Sequence, residues 1–342
     1  MARFARVASL IVIAGVVGGL GWFVLQDSRY AATKHEPKSQ LPTDRTWIER
    51  DFESLSLEDA FGRHLFNPAG NIEINGDALF VTDFDDGMRI KRFSLDGQLL
   101  NTIGNGRGEG PGELQLAADF HVADGEVWVA DTRARHVSRF TVEGTFLDRF
   151  NADSNPLRVT ASRGRVVLMR MGPAELFQII DTTGTVARTF GDLVSNQTKN
   201  FMALDGHLVA GPEEGFIYVP KYASYLYYYS TEGELDNVVQ TIDRRAFPSV
   251  QADESGGGIR YGAPSPPVQV FSASVSEGIL YLQMYFRRED EPSVHVLDRY
   301  DWASGSYINS TRLPIRPYAT SVHDDKIYCL RDTTVTAFRF EE

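Results

Sequence analysis

Between Phe120 and Phe150 the apolar positions fall in four short bursts, not in helical stripes. Phe120 to Ala123, Glu126 to Asp131, His136 to Thr141 and Thr145 to Phe150 are rich in β-branched and aromatic residues. Tight turns separate them: Asp124-Gly125 and Glu143-Gly144 supply glycines that take positive φ at no steric cost. His136 to Thr141 follows a loose period of two, the mark of a partly buried strand. The pattern predicts a four-stranded antiparallel meander. Such a sheet, alone, leaves its faces uncovered and needs neighbours.

The neighbours are copies of the same unit. In Ile72 to Gly104, Asn75-Gly76 answers Asp124-Gly125, and Val81-Thr82-Asp83 answers Val129-Ala130-Asp131. Arg92-Phe93-Ser94-Leu95-Asp96-Gly97 answers Arg139-Phe140-Thr141-Val142-Glu143-Gly144. Fainter copies cover Val159 to Gly191, Leu208 to Asp243, Phe271 to Pro314 and Thr320 to Phe340. The last copy is one strand short, and Trp47 to Leu55 is an orphan β-like segment ahead of the first. Joining the two closes a circle with no open edge. Trp47 to Glu342 holds six units of about 50 residues. The region 243–314, with Pro248, Pro264, Pro266, Pro267 and Gly256-Gly257-Gly258, reads as a loop insertion and not as a seventh unit.

Three stretches together carry a resemblance: Gly104 to Leu114 (GNGRGEGPGEL), Val127-Trp128-Val129-Ala130-Asp131, and Val137-Ser138-Arg139-Phe140. They resemble the NHL-repeat and related six-bladed propeller proteins of bacteria over residues 72–151. The later copies depart from the Val-x-Asp signature, with Leu168-Met169, Val219-Pro220, Leu282-Gln283 and Leu330-Arg331 in its place. The resemblance implies an all-β six-bladed propeller over residues 46–342. It implies little about activity, because function resides in sites and not in folds.

Ahead of the circle, residues 1–6 carry Arg3 and Arg6, and Val7 to Leu25 is uncharged and apolar. A helix of that length spans about 30 Å of hydrocarbon. The arginines predict a cytoplasmic tail, with the rest of the chain across the membrane. The expectation is a single-pass anchor in the inner membrane with the propeller on the periplasmic or extracellular side; a cleaved signal sequence is the rival reading. Residues 26–45 are polar, with Pro37 and Pro42, and read as a flexible linker.

The net charge of −12 argues against nucleic-acid or anionic-membrane binding by the propeller. The single cysteine, Cys329, excludes an internal disulfide and reads as a buried strand residue. In a four-stranded meander the loops between second and third strands share a face with the unit-to-unit loops. Loops on a rigid scaffold carry binding residues, so this face is the candidate surface. It offers Arg107, Glu109, Arg133, Arg135, Tyr222, Tyr225, Arg287 and Arg288. The glycine-rich stretch 104–112 lacks the ending of a phosphate loop and reads as a crossing between units. Asp83-Phe84-Asp85-Asp86-Gly87 lacks the later glutamate of a calcium loop and reads as a solvated turn. His121 and His323 fall two positions apart on aligned innermost strands, which argues against a shared metal. Tyr225 to Tyr229 reads as packing between units. No catalytic set, metal or cofactor is predicted. The leading expectation is a membrane-tethered binding or scaffold module for a protein, peptide or envelope glycan. The alternative is a metal-dependent hydrolase or lyase with a site in the central channel.

Overall fold

The computed structural model describes residues 30–39, 44–55, 61, 63–84, 87–195, 197, 201–211, 215–252, 259–261, 268–286 and 294–340. Six four-stranded antiparallel sheets follow one another. The first runs from Pro68–Asn75 to Leu99–Ile103, the second from Ala117–Ala123 to Phe146–Asn151, and the third from Pro156–Ser162 to Val186–Phe190. The fourth runs from Gly206–Ala210 to Leu235–Gln240 and the fifth from Val270–Ser276 to Tyr307–Arg312. In the sixth, Ala319–His323, Lys326–Arg331 and Thr334–Phe340 pair in turn, and Phe52–Leu55 adds the outer strand. The first strand of each sheet packs on the first strand of the next, and that of the sixth on that of the first. This is a closed six-bladed propeller.

Each seam between blades has its own apolar core. Phe80, Phe120 and Phe140 join blades one and two, while Trp128, Val166 and Ile180 join two and three. Phe177, Tyr218, Tyr227 and Tyr229 join three and four. Ile217, Leu282 and Tyr300 join four and five, Tyr281, Ile327 and Phe338 join five and six, and Leu79, Phe93 and Tyr328 join six and one. Alternation along each strand explains this, since a sheet inside the ring buries both faces. The tyrosine run therefore packs between blades, with Tyr225, Tyr227 and Tyr229 on one side and half-buried Tyr228 on the other. Cys329 is fully buried.

The closing segment is shorter than the sequence suggests. Phe52 to Leu55 pairs with Phe340 to Ala337. Trp47 instead bridges Ser310 of the fifth blade in parallel and meets the Phe286 ring edge-on at 5.5 Å. The segment read as a flexible linker is, where described, laid along the rim. Tyr30–Ala31 pairs with Phe247–Pro248, Thr33 bridges Val194, and Lys38 bridges Val239 on the outer strand of blade four. Arg45 then plugs into the seam between blades four and five, donating to Asp243 at 2.7 Å and to Asp298 at 2.8 Å. A flexible linker would leave these backbone groups to water; here two blade-to-blade connections and the outer strand of blade four satisfy them.

The insertion region holds Phe247–Pro248 and a small hairpin, Val250–Ala252 with Ile259–Tyr261, and adds no blade among the described residues. The anchor expected at 7–25 lies outside the described residues, among which no helix is long and apolar enough to cross a membrane.

Candidate functional site: a charged ring at the channel mouth

The meander has two kinds of connection. Hairpin turns within a blade, such as Asp124-Gly125, lie on one face, here the turn face. Loops joining second to third strands, and blade to blade, lie on the other, the loop face. The innermost strands start at the loop face, so their first residues line one mouth of the central channel.

Those residues are charged and polar. The register pairs Ile72 with Val81, Phe120 with Val129, Val159 with Leu168 and Leu208 with Tyr218. The positions just before these four are Asn71, Asp119, Arg158 and His207. All four line one cavity of about 220 Å³ on the channel. Asn71 Nδ2 donates to Asp119 Oδ1 at 2.6 Å, and the Val159 N–H donates to Asp119 Oδ2 at 3.0 Å. Arg158 donates to Asp205 at 2.7 Å and to the Gly206 carbonyl at 2.9 Å. Lys221, from the loop after the second strand of blade four, donates to the other Asp205 oxygen at 2.8 Å.

Deeper in the channel, Glu73 Oε1 lies 3.0 Å from His121 Nδ1 and accepts the Val122 N–H at 3.0 Å. His121 Nε2 faces the Ala161 carbonyl at 3.2 Å. Both ring nitrogens meet acceptors, so the imidazolium is the form that satisfies both. Burial opposes the charge, but Glu73 wins and holds the His121 pKa above its ordinary value. Burial pushes the Asp119 carboxyl up to about 6, against the pull of Arg158 and the Val159 N–H. His207 goes the other way: burial, then Lys221 and Arg158, bring it down to about 3. Burial also works to raise Asp205, yet Arg158 and Lys221 hold it below its ordinary value. The channel thus sets Glu73, Asp119 and the charged His121 on blades one and two against Arg158 and Lys221, both paired with Asp205, on blades three and four.

A divalent cation does not fit this set. Among the described residues no three His, Cys, Asp or Glu side chains converge as ligands. Glu73 is engaged by His121 and Val122, and Asp119 by Asn71 and Val159. The Val-x-Asp aspartates are likewise spent inside the fold. Asp83 accepts the Phe66 and Asn67 N–H groups at 2.8 and 2.9 Å and pairs with Lys91. Asp131 does the same for Gln115 and Leu116. These carboxylates fasten the incoming blade-to-blade loop, which is a physical reason for the signature. It also means that Asp83 is no calcium ligand and no solvated turn residue, while Asp85 and Asp86 lie outside the described residues.

Of the residues expected on the loop face, the described ones lie there with one exception. Arg107, Glu109, Arg133 and Arg135 are exposed, and Tyr222 is half-buried. Glu109 accepts from Gln115 Nε2 at 2.8 Å, and Arg135 donates to the Asp153 carbonyl at 2.8 Å. Tyr225 is withdrawn from that surface: it is 5% exposed and stacks on Phe247 at 5.4 Å. Arg287 and Arg288 lie outside the described residues. The stretch 104–112 is the crossing that its glycines predict. Gly104, Gly106 and Gly112 have φ of 99°, 109° and 73°, and Asn105 Nδ2 donates to the Pro111 carbonyl at 2.8 Å.

The ring of Glu73, Asp119, Arg158, Asp205, His207 and Lys221 escapes a reading of the sequence. A signal was present, because the residue before the first core position of blades one to four is polar every time.

No known family profile matches the chain, and no curated protein matches it. Solved structures do. An exported protein of Bacteroides fragilis is 12% identical, with a TM-score of 0.55 over 86% of this chain and 99% of that one. A protein of unknown function from Bacteroides thetaiotaomicron is 13% identical, with a TM-score of 0.51 over 85% of this chain and 72% of that one. A virginiamycin B lyase from Staphylococcus aureus is 13% identical, at 0.48 over 86% and 100%. At such identities the likeness is one of fold: this chain is a six-bladed β-propeller.

Proposed function

We propose that the protein is an NHL-repeat-like binding module, tethered to the inner membrane by residues 7–25 and acting outside the cytoplasm. It takes a protein, peptide or envelope glycan on its loop face. One observation carries the reading: charged side chains converge on the channel mouth of that face, and among the described residues no three metal-ligating side chains meet. The apolar stretch Val7 to Leu25 supports the tether, and the exported neighbour from Bacteroides fragilis fits the location. Propellers present loops on a rigid ring, so a ligand meets a surface already formed.

The test is site-specific photocrosslinking in intact cells. A benzophenone amino acid at Arg133 or Tyr222 on the loop face should give a discrete adduct, and one at Asp124 on the turn face should not. Equal adducts from both faces, or none from the loop face, would overturn the proposal.

A further inference from the structure

The two faces of the disk differ in charge and in exposed apolar groups. Exposed acids crowd the turn face: Asp77, Asp96, Asp124, Glu143, Glu277 and Asp325 all sit in hairpin turns. Exposed arginines crowd the loop face: Arg107, Arg133, Arg135, Arg244, Arg316 and Arg331. The loop face also carries Glu109, Asp153, Glu175, Asp192 and Asp332, the last paired with Arg331 at 3.3 Å and accepting from the Tyr318 hydroxyl at 3.0 Å, so it is mixed where the turn face is acidic, Arg163 excepted. The net charge of −12 hides this division.

The large exposed apolar side chains divide in the same way. Tyr30 (53%), Phe66 (57%), Met171 (41%) and Tyr318 (52%) lie in or against loop-face connections. Leu100, Leu147, Val186 and Ile308 lie on outer strands at the rim.

The chain itself enters the disk on the loop face. Tyr30–Ala31 pairs with Phe247–Pro248, and Thr33 with Val194; both partners are blade-to-blade connections. Only Gln26 to Arg29 separate this fixed point from the apolar stretch ending at Leu25. Four extended residues reach about 14 Å. If Val7 to Leu25 spans the bilayer, the edge of the loop face at blades three and four stands against it.

We infer that the loop face lies flat on an anionic lipid surface, with Tyr30 at one edge and Phe66 and Tyr318 at the opposite edge entering the interface. The inference rests on the tether proposed above and names the first partner of that same face. Blades three and four are diametrically opposite the seam of blades six and one, so the two aromatic edges seat the disk without tilt. Aromatic rings prefer the headgroup level, and arginines near anionic lipid are attracted to it. The charged channel mouth then opens toward the membrane, and whatever it takes is met at the lipid surface.

The experiment uses the full chain in vesicles of anionic and zwitterionic lipid carrying a headgroup-level quencher. Cys329 is buried, so a cysteine introduced at an exposed position carries the fluorophore. Ala174→Cys and Thr333→Cys place it on the loop face at blades three and six, and Asp124→Cys places it on the turn face. The expected result is several-fold stronger quenching at both loop-face positions than at Asp124→Cys, weakening when the anionic lipid is left out. Equal quenching at all three positions, with the chain floating with the vesicles, overturns the apposition and leaves the tether standing. Quenching at Ala174→Cys but not at Thr333→Cys shows a tilted disk and also overturns it. Quenching that ignores lipid charge removes the anionic-lipid partner. A chain that fails to float removes the tether and the apposition together.

Discussion

Arg45 is the residue on which the rim segment turns, and its loss has a magnitude that the geometry sets. Its two terminal nitrogens reach the two Asp243 oxygens at 2.7 Å each, and Nε and Nη2 reach Asp298 at 3.2 and 2.8 Å. The guanidinium is 6% exposed and the Asp298 side chain 0%. In Arg45→Ala, Asp298 keeps the Ser310 hydroxyl at 2.5 Å and loses its counter-charge. Breaking a buried pair from one side costs about 3–5 kcal/mol. At the low end of about 2 °C per kcal/mol for a large domain, Tm should fall by about 6–10 °C. Circular dichroism melts of the full chain in detergent measure this. Burial already raises the Asp298 carboxyl above its ordinary value, against the pull of Arg45. Without the arginine it rises further. The folded state then holds the proton more tightly than the unfolded state, so stability returns as pH falls and the deficit shrinks in acid. A double-mutant cycle with Asp298→Asn should show strong coupling. A Tm loss under about 2 °C, corresponding to 1 kcal/mol, or additive effects of the two changes, would refute the clasp.

Two further outcomes follow from the ring and the channel. Replacing Phe52 and Leu55 by Asp exposes the edge of Thr334–Phe340, so the protein should melt earlier and associate through the freed strand; an unchanged melt and a monomeric sedimentation profile would show that the circle needs no fourth strand there. Asp119 titrates near 6 in the folded state against about 3.9 in an unfolded chain, so its contribution is present at low pH and is lost as pH rises through about 6. Asp119→Asn should therefore gain in Tm over the parent between pH 4 and 6, about its folded and unfolded values, and a constant difference across that range would sink the assignment.

Much of the fold was legible because its signals are local. Asp124-Gly125 fixes a turn, Val127 to Ala130 fixes a strand, and repetition of the pair fixes the blade. Ring closure was legible as a deficit: a last copy with three strands and a spare strand ahead of the first. The rim segment was not legible, because Tyr30 to Lys38 has a polar composition suited to water. Its order comes from residues more than 150 positions away, as in Thr33 with Val194. Arg45 reads as an ordinary linker cation until Asp243 and Asp298 are placed around it. The channel ring was hidden for the same reason, since Asn71, Asp119, Arg158 and His207 come from four different blades.

The division of charge between the faces belongs to a different class, because chain order alone carries it. In a four-stranded meander every connection alternates sides, so each turn has a parity that depends only on its order in the chain. Sorting the charged residues of even and odd connections separates Asp77, Asp124 and Glu277 from Arg133, Arg244 and Arg331 without coordinates. Net charge averages over that parity and so is silent about either face: a chain at −12 can still present arginines on one side. In the proposed apposition the acids on the far side act in the same sense, because a disk inverted on the proposed tether would turn Asp96, Glu143 and Asp325 toward the anionic surface and be repelled. On the apposition inferred above, orientation is specified twice, by attraction on one face and by repulsion on the other, and a single arginine substitution should weaken apposition without inverting it.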